Sequence, residues 1–227
     1  MGCEGLVLRL VERIYDAAVD SRGWGLALEE LSKALGDPAI QLSLRIRNDP
    51  QAPFVSAASE PGPIFRIHLD ERYHEVLLRL SVEEFPWAEI DRRAVTQRFI
   101  RSSDMVDPRP DLVRTRFYRE YMQPQGLAAE PPLCHVIASA QARPLAGMVI
   151  YRREGGRPFA PEDFELLDLL APHLARAYRI HCRLGEARHE GRALREVLDR
   201  LPSGVILLDA DARAVLTNRS ADQILAL

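Results

Sequence analysis

The order of apolar and polar residues predicts helices first and a strand after them. Apolar positions fall at helical spacing over Leu6–Ala18 and again over Leu26–Leu35, which ends before Gly36. From Ile40 to Ile46 apolar and polar residues alternate instead, which predicts a strand with one buried and one solvated face. A second strand over Phe54–Ala57 is expected to pair with it across the turn at positions 48–50.

The middle of the chain repeats this combination of helices and strands. After the break at Pro-Gly-Pro 61–63, helical spacing returns over Leu69–Leu80 and Asp111–Met122, and Gly126 closes the second helix. Two further strands are predicted over Leu133–Ser139 and Ala146–Arg152. Helices and adjacent strand pairs in this order predict an α+β fold, with an antiparallel sheet and flanking helices.

The longest helical pattern begins at Pro161 and continues to about Leu201. Its apolar and small residues step mostly by three and four, as a coiled-coil seam requires, and nearly 40 residues exceed what this domain can cover. We therefore favour a two-chain helix over the alternative, a helix that packs back on the sheet and frays past Gly185. The predicted seam consists of Leu170, Leu174, Ala177, His181, Leu184, Leu194 and Leu198.

The last stretch of the sequence, Ser203–Leu227, reads as a hairpin followed by a short helix. Strands are predicted over Val205–Leu208 and Ala214–Thr217, and Asn218 is placed to start the helix. Two short strands and one helix cannot bury a core of their own. We therefore expect this segment to be completed by residues beyond Leu227.

Composition restricts the class of protein and its location. Of the 227 residues, 47% are hydrophobic and 28% charged, the balance of a soluble globular chain. No apolar run is long enough to span a bilayer, and the charged amino terminus is not a signal sequence, so a cytoplasmic location and no membrane contact are expected. The net charge of -3 does not suit a surface that binds nucleic acid phosphates.

Catalytic, metal and cofactor signatures were sought and not found. The sequence contains no G-x-S-x-G elbow, glycine-rich phosphate loop, H-E-x-x-H or C-x-x-C pair, so it does not predict an enzyme. His173, His181 and His189 are spaced by eight residues, about 12 Å along a helix, which is too far for one shared ion. No metal and no cofactor are expected.

Several stretches together resemble a known class of regulator. The stretches are "IYDAAVDSRGWGLALEELSKALG" from residue 14, "FPW" from residue 85, "FYREYMQPQGL" from residue 117 and "YRREGGRPFAPEDFELLDLLAPHLARAYRIHCRL" from residue 151. In combination they resemble the amino-terminal sensory region of LuxR-type helix-turn-helix transcription regulators that carry a GAF-like domain. The resemblance implies signal sensing in these residues.

The closing stretch, "LDRLPSGVILLDADARAVLTNRSADQILAL", resembles the start of a PAS domain. Gly204, Asp209 and Asn218 match that pattern, whereas Ala212 replaces the usual turn glycine. The resemblance implies a GAF-like sensory domain over residues 1–160, a linker and dimerisation helix over 161–201, and an incomplete PAS-like segment over 202–227. It also implies a homodimer, with DNA bound only by a helix-turn-helix beyond residue 227.

Other outputs and other roles remain open from the sequence. GAF and PAS modules are also attached to histidine kinases and to enzymes that make cyclic dinucleotides, so a sensory module of such an enzyme is the alternative. A purely structural module that pairs chains and binds no small molecule is a third reading. The downstream reading frame would separate the first two.

A small-molecule site would lie between the sheet and the helices that cover one of its faces. Aromatic side chains with hydroxyl or indole donors can both stack on a ligand and orient it, although the same residues can simply fill a core. An acyl-homoserine lactone is not supported, because the residues of such sensors cannot be aligned here. The candidate ligand-binding residues are Phe85, Trp87, Phe117, Tyr118, Tyr121 and His135.

Overall fold

A computed structural model describes residues 3–44, 64–80, 98–101, 111–140 and 143–226. The chain forms two compact units, Met1–His181 and Cys182–Leu227. The first unit begins with the two predicted helices, α1 (Cys3–Val19) and α2 (Gly23–Ala34), which pack against each other. One apolar side of each helix is buried, with Leu10 and Ile14 of α1 and Leu28 of α2 in the core, whereas Leu8 and Leu26 are exposed.

A five-stranded antiparallel sheet forms the centre of the first unit, with the order β2-β1-β5-β4-β3. The prediction of an α+β fold with an antiparallel sheet is therefore confirmed. Strand β2 was not predicted, and the predicted strand over 54–57 lies outside the described residues. The strands are β1 (Ala39–Leu44), β2 (Ile64–Ile67), β3 (Ile100–Arg101), β4 (Leu133–Ala140) and β5 (Arg143–Tyr151).

Strand β1 does not have the solvated face that its alternating sequence predicts. It pairs with β2 on one side and with β5 on the other, and all six of its residues are buried. The prediction of a wet face is wrong because the sheet is covered on both sides at this strand. Gln41 and Ser43 are therefore polar residues inside the protein.

The first face of the sheet carries Ile40, Leu42 and Leu44 of β1 and is covered by helices. Trp24 of α2 lies 6.3 Å from Phe65 of β2, ring to ring. The long helix α4 (Pro161–Asp199) covers the same face, since the guanidinium of Arg101 stands 5.5 Å over the ring of Phe164. Tyr15 Oη of α1 also lies 3.2 Å from His173 Nδ1 of α4, so these two helices meet there.

The second face carries the opposite set of side chains and is covered by shorter elements. These are α3 (His74–Arg79), a 3₁₀ turn (Leu112–Arg114), a π-helix (Phe117–Met122) and a second 3₁₀ turn (Gln123–Gln125). In place of the regular helix predicted over Asp111–Met122, the chain forms a 3₁₀ turn and a π-helix. Gly126 closes them in the left-handed region, at φ +65°, as predicted.

Helix α4 matches the predicted long helix within two residues. The residues of its predicted seam differ in burial between the two halves of the helix. Leu170, Leu174, Ala177 and His181 are buried within their own chain, because they lie on the side of the helix that covers the sheet. For these four residues the prediction of a two-chain seam is wrong. The boundary between the two units also falls inside this helix, after His181, and not at the predicted position 160.

The second unit contains the end of α4, the hairpin β6 (Ile206–Leu208) and β7 (Ala214–Thr217), and α5 (Arg219–Leu225). The predicted hairpin and helix are confirmed. Many large apolar side chains of the second unit remain exposed, as expected for a segment without a core. They are Leu194, Val197, Leu201, Ile206, Leu207, Leu208, Val215, Ile224 and Leu225.

None of the helices in the described ranges is both long and apolar enough to cross a membrane.

Candidate functional site

Two rows of residues on the second face form the floor of the candidate site. Strand register places Gln41 opposite Val149, and Val149 opposite Cys134. The next row of the same face is Ser43, Gly147 and Val136. Because Gly147 has no side chain, the centre of this row is lower than its ends. We call these six residues the Gln41 face: Gln41, Ser43, Cys134, Val136, Gly147 and Val149.

The amide of Gln41 is the least satisfied polar group of the Gln41 face. Gln41 is only 5% exposed, and its Nε2 donates a long hydrogen bond of 3.4 Å to Ser43 Oγ. Its Oε1 is buried without a hydrogen-bond partner among the described residues. An unsatisfied buried group costs about 1–3 kcal/mol, and few such groups occur in native proteins. This oxygen therefore needs an explanation.

Aromatic rings from the π-helix stand above the same side of the sheet. Phe117 and Tyr121 stack with centroids 5.1 Å apart and an interplanar angle of 19°. Tyr121 in turn lies 6.1 Å from Tyr151 of β5, and all three belong to the buried cluster on this face. The main-chain N–H of Gln123 donates to the main-chain oxygen of Tyr118, the five-residue step of a π-helix. Such turns are rare and are frequently found at functional sites.

Polar residues at the β2 edge hold the covering elements in place. Arg66, opposite Gln41 in the strand register, lies with Nη2 2.7 Å from His74 Nδ1 of α3. Burial, and secondly the charge of Arg66, lower the pKa of His74, so this imidazole accepts the hydrogen bond from Arg66. Gln125 Nε2 donates to the main-chain oxygen of Tyr121 at 2.8 Å, and its Oε1 accepts from the main-chain N–H of Asp70 at 2.9 Å.

The two tyrosines of the second face keep their hydroxyl protons. Burial raises the pKa of Tyr121, and it raises the pKa of Tyr151 further, with the neighbouring Tyr121 and Cys134 adding to the effect. Both hydroxyls are therefore neutral at physiological pH. The site therefore offers neutral hydrogen-bonding groups and aromatic surface, which can recognise a molecule.

The predicted ligand-binding residues separate into two groups. Phe117, Tyr118 and Tyr121 are buried together on the second face. His135 lies on the first face, because it pairs with Met148, and Met148 pairs with Leu42 of that face. It therefore does not belong to a common site with the three aromatic residues. Phe85 and Trp87, the two other candidates, lie outside the described residues.

His135 has a neighbourhood of its own. Its ring stacks on Phe99 at 4.5 Å, and Nδ1 lies 3.2 Å from the main-chain oxygen of Arg98, so Nδ1 is the protonated nitrogen. The side chain is 3% exposed, and burial lowers its pKa, although the Arg98 oxygen and the charge of Asp168 oppose that shift. His135 is thus held neutral beneath α4.

Four residues of this region were not predicted as site residues from the sequence: Gln41, Ser43, Arg66 and Gly147. The available signal was the polar half of the alternation in β1, which was attributed to solvent. Polar residues on a strand mark a site only when the sheet is covered on both faces, and that is a property of the whole fold.

Within the ranges that the structure describes, no three His, Cys, Asp or Glu side chains come close enough together to hold a metal ion.

No protein-family model matches the chain, and no curated protein matches it either.

Proposed function

We propose that the chain is the signal-sensing and dimerisation region of a LuxR-type transcription regulator, located in the cytoplasm. The first unit is the GAF-like sensor, and the second is the PAS-like segment. DNA binding would belong to a helix-turn-helix outside residues 1–227, and we assign no catalytic activity to these residues. The quoted stretches support this assignment, together with an antiparallel sheet covered on both faces.

The observation that carries the proposal is the different character of the two halves of α4. In the first unit Leu170 and Leu174 are 0% and 1% exposed, so this half is fixed to the sheet. In the second unit Leu194 and Val197 are 58% and 60% exposed. A helix that is anchored at one end and presents apolar side chains at the other is suited to transmit a change and to pair with a second copy.

The mechanism needs only a modest free-energy difference. A molecule bound between the Gln41 face and the π-helix would favour one arrangement of the covering elements over another. Because α4 covers the opposite face, that preference would pass through the strands of the sheet to α4 and along this helix to its exposed half. A ligand that prefers one of two states by a few kcal/mol is sufficient to change their populations substantially.

Sedimentation velocity of the full chain tests the dimer over a wide range of protein concentration. We expect the wild type to dimerise and the double variant Leu194→Glu/Val197→Glu to remain monomeric, because charges at a desolvated seam are costly. The matched control is Leu169→Glu, an equally exposed leucine on the half of α4 in the first unit, which should dimerise normally. A wild type that stays monomeric throughout, or a double variant that still dimerises, overturns the proposal.

A further inference from the structure

We propose that the Gln41 face binds a small, uncharged aromatic molecule through a hydroxyl or amide group that hydrogen-bonds to the side-chain amide of Gln41. This inference rests on the proposed sensory function and specifies the class of its ligand. It follows from the unsatisfied amide of Gln41, from the neutral groups beside it and from the aromatic rings above the same face of the sheet.

The Gln41 amide requires a partner in either of its two orientations. A carboxamide offers two donors and an acceptor oxygen, and only one hydrogen bond of 3.4 Å, to Ser43, is formed among the described residues. If the amide is turned over, the oxygen can accept from the Ser43 hydroxyl, and the NH₂ group is then left without an acceptor. One end of the amide is unsatisfied in both cases. A ligand group that can both donate and accept, a hydroxyl or an amide, serves either orientation.

The ligand should carry no net charge. Gln41 and Ser43 are neutral, and the hydroxyls of Tyr121 and Tyr151 stay neutral because burial raises their pKa values. The cation nearest in register, Arg66, keeps its charge but directs its guanidinium to His74 at the β2 edge, and among the described residues it donates no hydrogen bond to the Gln41 face. A buried anion without a dedicated counter-charge pays a large desolvation cost, so a carboxylate or phosphate is disfavoured.

The shape of the site favours a flat ring. The stacked pair of Phe117 and Tyr121 provides aromatic surface on the covering side, and offset stacking of a further ring is favourable there. On the sheet side, Gly147 leaves a low position between Ser43 and Val136. A phenol-sized molecule would place its ring against this aromatic surface and its polar group at Gln41.

Three probes of similar size separate these features: phenol, anisole, which lacks the donor, and benzoate, which is charged. Binding to the full-length chain is measured by NMR chemical-shift titration of the methyl and aromatic signals. We expect the wild type to bind phenol about tenfold more tightly than anisole, and benzoate to bind weakest. In Gln41→Leu the preference for phenol over anisole should disappear.

The control is Gln123→Leu, the same change at an exposed position beside the π-helix, which should keep the wild-type preference. The unliganded Gln41→Leu protein should be at least as stable as the wild type, because the substitution removes an unsatisfied buried group. A glutamine that served only the fold would instead lose stability on this change, and that result would overturn the inference.

Equal binding of phenol and anisole to the wild type, or no binding of phenol, also overturns the inference, even if Gln41→Leu fails to fold. These outcomes are separate from the dimer test. A dimeric chain without preference for phenol refutes the ligand class alone. A monomeric chain that prefers phenol refutes the relay through α4 and leaves the site in place.

Discussion

The side-chain amide of Asn218 donates a hydrogen bond of 2.8 Å to the main-chain oxygen of Leu198, which joins the start of α5 to the last turn of α4. The same side-chain amide donates to the main-chain oxygen of Ser203 at 2.9 Å. Its Oδ1 accepts from the Val205 amide at 2.8 Å and from the Ala221 amide at 3.0 Å. Asn218 is fully buried, and its amide uses two donors and both oxygen lone pairs.

Asn218 should therefore be the residue on which the second unit depends most. We expect Asn218→Ala to lower the stability of this unit by about 3 kcal/mol, because it leaves several buried main-chain groups without partners. Hydrogen exchange of the amides in β6, β7 and α5 measures this loss directly.

Asn218→Asp distinguishes this role from simple helix capping. Aspartate caps helix amino termini as well as asparagine does, but it cannot donate to Leu198 and Ser203, and it places a negative charge beside their oxygens. We expect it to be destabilising as well. Wild-type exchange rates in Asn218→Asp would mean that only the cap to Ala221 matters.

Ala212 should be a position where glycine improves the protein. Its φ is +61°, in the left-handed region that a side chain disfavours, within a turn where Asp209 Oδ1 accepts from the amides of Asp211 and Arg213. We expect Ala212→Gly to stabilise the hairpin by about 1 kcal/mol. Ala210→Gly, the same change at a nearby exposed position without positive φ, should not stabilise. Slower amide exchange in β6 and β7 of Ala212→Gly alone is the expected result.

Asp163 is the carboxylate at the start of α4 and should control stability in acid. Arg157 donates two hydrogen bonds of 2.6 Å to it, and the Ala160 amide donates one of 2.9 Å. Burial by itself would raise its pKa, but these hydrogen bonds and the charges of Arg157 and Arg152 lower it below the ordinary 3.8. The carboxylate therefore stabilises the folded protein above that pH, and the contribution is lost as pH falls through the lower folded-state pKa.

We expect Asp163→Asn to lower the free energy of unfolding by about 3 kcal/mol near neutral pH, because it leaves buried Arg152 without its nearest negative charge. The loss should shrink as pH falls below 3.8 and through the lower folded-state pKa, where the wild-type carboxylate also becomes protonated. Glu162→Gln, at an exposed position in the same first turn, is the control and should have little effect. Urea unfolding at several pH values makes the comparison, and a pH-independent loss would contradict the expectation.

The alternation in β1 shows which part of the site can be predicted from the sequence. It correctly predicts a strand, because side chains of a strand point alternately to opposite faces. Whether Gln41 and Ser43 meet water depends on α3 and the π-helix, which come from positions far along the chain. The alternation depends only on neighbouring residues, whereas burial of the second face depends on residues that are distant in sequence.

The same limit applies to α4 and to the π-helix. Steps of three and four describe a helix that packs on a sheet as well as one that packs on a second helix, so Leu170 and Leu194 look alike in the sequence. Only the fold separates them, one buried and one exposed. The stripe over Val113, Phe117 and Tyr121 likewise predicts a regular helix, although Val113 is exposed and a π-helix forms.

His135 should make the first unit less stable in mild acid. Burial holds its pKa below the ordinary 6.5, so as pH falls through that value the unfolded chain takes up a proton and the folded chain does not. The stabilising effect of the neutral imidazole is therefore complete above pH 6.5 and declines below it. His74, whose pKa is also lowered by burial, contributes in the same direction.

The free energy of unfolding of the wild type should decrease when the pH is lowered from about 7.5 to about 5.5. We expect this decrease to be smaller in His135→Phe and smaller still in His135→Phe/His74→Phe. Phenylalanine keeps the stacking on Phe99, although the Arg98 oxygen loses its donor, so the variant should be somewhat less stable at the higher pH. NMR titration of the imidazole signals gives the pKa of His135 directly. A value at or above 6.5, or a double variant with the wild-type pH dependence, would show that the buried imidazole is not the source of the effect.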